Sequence, residues 1–240
     1  FDFIQSIVDR TGARVVLKEG ESASESFSVQ TLSIQELLAR KSAVPVKMAA
    51  LQPEDPAVIF FTSGTTGTSK GAVLSHGNLL INSVATQSLH QMTPESTHLA
   101  VLPLFHVNAF SFSFLTTLLS GSRLILNKTF FQPNFWKVVQ NERVNVVSLV
   151  PSILELLNRD KTIRFNREDY PHLKYFVTAA APLSSALLRA FHSRFGVRII
   201  QAYGLSETVN FSLTVPPLLS AEEYQAMMLE PDIPPAGVPV

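Results

Sequence analysis

The chain has 240 residues, 46% of them hydrophobic, enough for one large domain or two small ones with a packed core. Lys plus Arg and Asp plus Glu balance at 19 each, so no overall field draws in nucleic acid or an anionic membrane. There is no cysteine, which excludes disulfides, thiolate metal sites and cysteine nucleophiles.

Near the start, Phe3, Ile4, Ile7 and Val8 recur at helical spacing, and Arg14 to Leu17 reads as a short strand. The acidic Asp2 and Asp9, with no basic flank ahead of an apolar core, do not match a signal peptide. Lys18 to Gln30 is polar and predicts an exposed loop. Ser33 and Glu36 form a capping-box pattern ahead of Leu37 and Leu38, which predicts a short helix. Pro45, Pro53 and Pro56 mark a boundary, so we expect residues 1–52 to close one α/β subdomain and 53–240 to form a second, nucleotide-binding one.

From there the pattern is regular. Ala57 to Thr62 is a β-branched and aromatic run that predicts a buried strand, and Gly71 to Leu74 a second short one. Ser75 can cap a helix over about Asn78 to His90. Strands are expected at His98 to Leu102, Arg123 to Leu126, Val144 to Leu149, Lys174 to Thr178 and Val197 to Ile200. Between them come helices at Val107 to Leu119, near Phe135 to Asn141, after Pro151, and at Ser184 to Phe195, stopped by Gly196. The stretch Val101 to Leu119 is apolar but carries His106, Asn108 and several hydroxyls, a poor membrane span. Alternating strands and helices imply an α/β fold, a largely parallel sheet with helices on both faces. Ligands of such sheets sit in the loops after the strands.

Those loops carry the chemistry. Thr62 to Ser69 reads TSGTTGTS, followed by Lys70 and Gly71. Glycines let backbone N–H groups approach an anion closely, hydroxyls add adaptable donors, and Lys70 adds a positive charge. From Pro56 to Asn141 the only acidic residue is Glu95, so a polyphosphate meets little repulsion. A Walker A loop is excluded, because Ser69 rather than glycine precedes Lys70 and the following segment is strand-like. A plain flexible linker does not account for the flanking apolar strands or the Lys-Gly end. There is no G-x-S-x-G elbow, no G-x-G-x-x-G fingerprint and no H-E-x-x-H pair.

Phe60 to Leu80, FFTSGTTGTSKGAVLSHGNLL, closely resembles the phosphate-binding signature of the adenylate-forming superfamily, which holds acyl-CoA synthetases, peptide-synthetase adenylation domains and beetle luciferases. Ser69 departs from the usual proline. Three further segments are similar to that family in the right order: VLPLFHVNAF at Val101 to Phe110, TAAAPL at Thr178 to Leu183, and QAYGLSET at Gln201 to Thr208, with Ser206 where threonine is usual. The resemblance implies ATP and Mg²⁺ as cofactors, a small-molecule carboxylic acid as substrate, and CoA or the phosphopantetheine arm of a carrier protein as acceptor. It implies that Thr62, Ser63, Gly64, Thr65, Thr66, Gly67 and Lys70 bind the ATP phosphates. It further implies that Ala179, Ala180, Ala181 and Tyr203 meet the adenine, that Gly204 belongs to the ATP site, that Ser206 contacts a phosphate, and that Glu207 helps hold the metal. His106 would lie beside the acyl pocket, so that His106, Lys70 and Glu207 carry the catalysis. A cytoplasmic ligase is expected, with an apolar acid that is fatty or aromatic. Family members continue past the G-x-x-G-x-P stretch that Pro234 to Val240 resembles, to a ribose-binding aspartate and a small C-terminal domain with a lysine. These 240 residues alone are therefore expected to bind nucleotide weakly and to turn over negligibly. The competing reading is a nucleotide-binding or interaction module that keeps the fold without catalysis.

Overall fold

A computed structural model of the chain describes residues 2–20, 27–39, 49–62 and 69–240. Two compact units result, Phe1–Ala50 and Leu51–Val240. In the first, α1 (Asp2–Thr11) precedes β1 (Val15–Lys18), β2 (Gln30–Ser33) and α2 (Ile34–Ala39). β1 and β2 pair in parallel, Val15 opposite Gln30. The Gln5 amide ties α1 to Ser28, donating to its hydroxyl at 2.7 Å and accepting from its N–H at 3.1 Å. Ser33 sits at the start of α2 as the capping pattern requires, accepting from the Glu36 N–H at 3.5 Å. β2 is an addition to the expected elements: three of its four residues are polar, with no apolar alternation to announce it, and the pairing with β1 makes them a strand.

The second unit opens with an antiparallel hairpin, β3 (Pro56–Thr62) and β4 (Lys70–Ser75), paired from Pro56 opposite Ser75 to Thr62 opposite Lys70. It is a two-stranded sheet of its own. β3 is not the buried strand that its β-branched run predicts. Phe60 alone is buried, while Ile59 and its partner Val73 face outward at 36% and 58% exposure, because within this unit the hairpin is packed on one side only. β4 runs into α3 (His76–His90) through a full capping box: Ser75 Oγ accepts from the Asn78 N–H, and Asn78 Oδ1 accepts from the Ser75 N–H, both at 3.1 Å.

The main sheet has seven strands in the order β11-β10-β9-β8-β7-β5-β6. β5 (Thr97–Ala100), β6 (Arg123–Leu126), β7 (Val146–Leu149), β8 (Tyr175–Thr178) and β9 (Arg198–Tyr203) are parallel. β10 (Leu213–Thr214) and β11 (Val238–Pro239) add antiparallel to that edge. β5, β7 and β8 are buried at every residue, as a parallel sheet covered on both faces requires. Consecutive residues of β8 show the two layers. Tyr175 meets His90 of α3, with ring centroids 5.7 Å apart. Phe176 meets Phe135 and Trp136 of α5 (Gln132–Asn141) and Phe191 of α7 (Ser185–Phe195). The first layer also holds a π-helix, Ala109–Leu115, running directly into α4 (Thr116–Ser120), which Gly121 ends in a left-handed conformation. The second holds α6 (Pro151–Arg159), begun by Pro151 and packed on α7. The short α8 (Ala221–Tyr224) supplies what β10 is too short to give. Along β9, β10 covers only Ala202 and Tyr203, and the buried Tyr224 hydroxyl bridges the N–H and carbonyl of Ile199 at 2.8 and 3.1 Å. Among the described residues no helix is long and apolar enough to cross a membrane.

One side chain fastens the second layer. Arg194 of α7 donates to the carbonyls of Leu157, Asn158, Asp160 and Ile163, at and beyond the end of α6, with 2.6 Å to Asp160 and 3.3 Å to Leu157. Helix C-terminal carbonyls lack intrahelical donors, and a guanidinium offers five in one plane. Arg194→Ala is expected to lower unfolding stability by about 2–3 kcal/mol. Urea denaturation should show a shifted midpoint with an unchanged slope, and a loss under about 0.5 kcal/mol contradicts the assignment.

Candidate functional site

The hydroxyl-rich segment joins β3 to β4, and its described ends, Thr62 and Ser69, lie at the neck of that hairpin. Ser63, Gly64, Thr65, Thr66 and Gly67, expected to bind phosphate, lie outside the described residues. Thr62 and Lys70 are paired, the Thr62 hydroxyl donates to the Lys70 carbonyl at 3.4 Å, and the Ser69 hydroxyl donates to the Thr62 carbonyl at 2.9 Å. Ser69 thus ties the neck by a bond that a proline could not make. Lys70 is exposed at the neck.

His106 follows β5 on an exposed turn closed by its own N–H bonding the Pro103 carbonyl at 3.0 Å. Its ring meets that of Phe105 at a tilt of 51°, centroids 4.5 Å apart. Two residues on, Asn108 Oδ1 accepts from the buried Ser148 hydroxyl of β7 at 2.7 Å, which pins the turn to the middle of the sheet. The expected α-helix after His106 begins instead as the π-helix. Both the N–H and the hydroxyl of Thr116 bond the Ser111 carbonyl, five residues back. Such inserted turns concentrate at functional sites.

The Ala179–Ala181 segment follows β8. Ala179 is buried, Ala180 and Ala181 are exposed, and Ala180 adopts φ 70°, a left-handed conformation that favours glycine. Parallel pairing sets Thr178 opposite Gln201, so this turn lies level with the end of β9, where Tyr203 stands half exposed at 51%. Beyond Tyr203 the chain makes a tight loop. The Ser212 N–H returns to the Tyr203 carbonyl at 2.8 Å, and the Thr208 hydroxyl accepts from the Leu205 N–H at 3.0 Å. Glu207 stands exposed on the single 3-10 turn Ser206–Thr208, and Ser206 is partly exposed beside it.

These segments meet. β4 lies within 8 Å, Cα to Cα, of the Ser206–Thr208 turn. Phe60, Leu74, Leu79 and Val209 form a small apolar cluster apart from the main core, with Val107 and Phe110 packed on it. Phe60 and Phe110 meet edge to face at 5.5 Å. The hairpin neck with Lys70, the turn with His106 and the turn with Glu207 are therefore buttressed by one cluster, and the Ala179–Ala181 turn flanks them along the same edge. Val209, Asn108 and Ser148 had no sequence signal of their own. Each is recognised by a contact made across many residues.

The donor set bears on the metal. Among the described residues no three His, Asp or Glu gather as a cation cage. A single exposed carboxylate at Glu207 suits Mg²⁺, which keeps several waters and takes one or two carboxylates with substrate phosphates. It does not suit a structural zinc or calcium site. An ion held there would supply charge neutralisation on substrate phosphates, and Lys70 would add its own positive charge at the neck.

The chain's relatives place it in a family. Residues 3–240 match the model of the family described as AMP-binding enzyme. An indoleacetate–CoA ligase of Aromatoleum aromaticum is 32% identical over 186 residues, 78% of this chain and 36% of the relative. A 4-coumarate–CoA ligase-like protein of Oryza sativa subsp. japonica is 34% identical over 181 residues, 73% of this chain and 32% of the relative. The chain spans about a third of the length of these relatives. The O-succinylbenzoate coenzyme A synthetase of Bacillus subtilis, in complex with AMP, superposes with a TM-score of 0.83 at 22% identity, over 99% of this chain and 46% of that one, which shows a shared fold. With a match running nearly end to end and a parallel sheet whose loops carry the signature, the chain belongs to the AMP-binding enzyme family of adenylate-forming proteins.

Proposed function

We propose that the protein containing this chain activates a carboxylic acid with ATP and passes the acyl group to a thiol. A carboxylate oxygen attacks the α-phosphorus, and the bond to the bridging oxygen of pyrophosphate breaks. The acyl carbonyl of the resulting adenylate is then attacked by a thiolate, and AMP leaves. CoA is the acceptor favoured by the names of the relatives, with a carrier-protein phosphopantetheine arm as the other thiol of the same chemistry. The single observation that supports this reading is the gathering of the Lys70 neck, the His106 turn and the Glu207 turn on one apolar cluster at the carboxyl edge of the sheet.

In this reading Thr62, Ser63, Thr65, Thr66 and Lys70 hold the β and γ phosphates. Glu207 takes one position on Mg²⁺, and Ser206 takes a phosphate oxygen. Tyr203, Gly204 and the Ala179–Ala181 turn hold the base. His106 orients the acid. Reactions of this kind are driven chiefly by positioning and charge neutralisation, which is what the constellation offers. The apolar surroundings of His106, with Phe105 and Phe110, favour an acid with an aromatic or fatty body. Such chemistry, drawing on ATP and CoA, fits the cytoplasm.

The test is carboxylate-dependent ATP–pyrophosphate exchange by the full-length protein across a panel of aromatic and fatty acids. Exchange is expected with at least one of them. Lys70→Ala and Glu207→Ala should each lower kcat/KM for MgATP by about tenfold, the loss of one charge-assisted contact. Nucleotide binding by calorimetry without exchange on any acid would turn the assignment to a binding module. Exchange unaffected by both substitutions would remove the residue roles.

A further inference from the structure

Three segments of the site come from distant parts of the chain, and apolar contacts alone do not fix their rotation about one another. Asn82 supplies a directional tie. It lies on α3, the helix that continues directly from β4 and hence from Lys70. Its Nδ2 donates at 2.9 Å to the carbonyl of Phe211, four residues past Glu207. Its Oδ1 accepts from the hydroxyl of Ser111 at 3.4 Å, on the π-helix five residues past His106. Ser111 and Phe211 are both buried, at 0% and 1% exposure, and Asn82 is half-buried between them. Leu79, three residues earlier on the same face of α3, belongs to the cluster with Phe60, Leu74 and Val209. Next along that face, Ser83 and Thr86 are buried as well. A carboxamide holds a donor and an acceptor in one plane, which carboxylate, hydroxyl-free and apolar side chains of that size do not.

We infer that Asn82 is a positioning residue: it sets the Glu207 turn and the His106 turn in fixed orientation relative to the helix that follows Lys70, each through a different atom of one amide. The inference rests on the ligase reading for what the two turns bind. The two atoms make it separable. Asn82→Asp keeps an acceptor for Ser111 and sets an acceptor against the Phe211 carbonyl, so only the Glu207 side is released. Ser111→Ala releases only the His106 side and removes no more than a hydroxyl.

In the full-length protein, Asn82→Asp is expected to raise KM for MgATP about tenfold with KM for the acid within twofold of wild type. Ser111→Ala should do the reverse more mildly, raising KM for the acid about threefold and leaving MgATP unchanged, since the bond is the longer one. Hydrogen exchange read without any substrate should speed up about tenfold at the amides of residues 208–212 in Asn82→Asp and not in Ser111→Ala. That measurement keeps the two ideas apart. If the wild-type protein activates no acid, the ligase reading fails while exchange still decides the tie. The positioning role is overturned if Asn82→Asp leaves exchange at residues 208–212 within twofold of wild type, or if either variant raises both KM values equally, as general loosening would. Should Asn82→Asp fail to fold, Ser111→Ala decides by the same split.

Discussion

Gly204→Ala in the full-length protein is expected to weaken MgATP binding and lower ATP–pyrophosphate exchange by about 100-fold or more while the seven-stranded sheet stays folded. The reason is a self-crossing of the chain. Where β9 ends, Gly204 passes against the far arm of its own loop, and a Cβ there would fall 1.2 Å from the Asn210 carbonyl oxygen and 2.3 Å from its carbon. Both are backbone atoms, so no side chain can swing aside. Reaching an ordinary contact of 3.4 Å requires the two arms to part by about 2 Å. The loop has little freedom to do so: Ser212 bonds back to Tyr203, Thr208 braces Leu205, and Val209 is held at φ 72° with its side chain in the Phe60 cluster. Parting the arms displaces Tyr203, Ser206 and Glu207 together. A misplacement of about 1 Å in a positioned group can cost about 100-fold in rate. Of the hydrophobic core that holds β5, β7, β8 and β9 to their helices, the arms of this loop supply only Ala202 and Phe211, so circular dichroism and a cooperative melt should survive. Calorimetry with MgATP is the direct measurement. Affinity within threefold of wild type would mean that the loop opens without moving the site, or that these residues do not touch nucleotide.

That loop also marks where the sequence is readable. Elements bounded by local chemistry are legible: Ser75, Pro151 and Ser184 each begin the helix that they announce, and Gly196 ends one at φ 59°. The fully buried strands Val146–Leu149 and Tyr175–Thr178 are legible as β-branched and aromatic runs. The signature loops stand out because their residue types are those the proposed chemistry needs. What stays hidden is set by partners far along the chain. β10 and β11 are two residues each and exist as strands through pairing with β9 and with each other. The exposure of β3 depends on what covers the hairpin rather than on its own composition. The π-turn after His106 has no signal in an apolar run that suits an α-helix equally. Asn82 is one polar residue among many on α3, and its tie to Phe211 spans 129 positions. Motif residues announce themselves, whereas the residues that hold motifs in place do not.

The second large effect is on pH. Lowering the pH from 7.5 to 5.0 is expected to reduce unfolding stability by about 4 kcal/mol, through two histidines that no motif contains. His90 of α3 and His98 of β5 are buried at 4% and 2% exposure and pack edge to face on Phe112 from 5.0 and 4.7 Å. Tyr175 meets Nδ1 of His90 at 3.0 Å, Thr117 meets Nδ1 of His98 at 3.4 Å, and Phe211 completes the surroundings of His90. Neither Nε2 has a partner among the described residues, and no carboxylate stands by to balance a charge. Burial pushes both rings down to about 3, with the neighbouring His90 adding to the effect at His98. The folded protein therefore keeps both neutral where an unfolded chain, at its ordinary 6.5, takes up protons. More protons bound in the unfolded state means stability that is full above pH 6.5 and is lost progressively as pH falls from there toward 3. At pH 5.0 the unfolded side is favoured by about 1.5 pH units per ring, or about 2 kcal/mol each. Two such losses are a large share of the roughly 5–15 kcal/mol typical of a domain. His192, lowered by burial and then by Arg198, pulls in the same direction, so the pair is isolated by substitution. His98→Leu should remove about half of the pH dependence measured by urea unfolding at the two pH values. Equal dependence in that variant and in wild type, or no loss at pH 5.0 in either, would mean that the rings are reached by water or by a proton acceptor in solution.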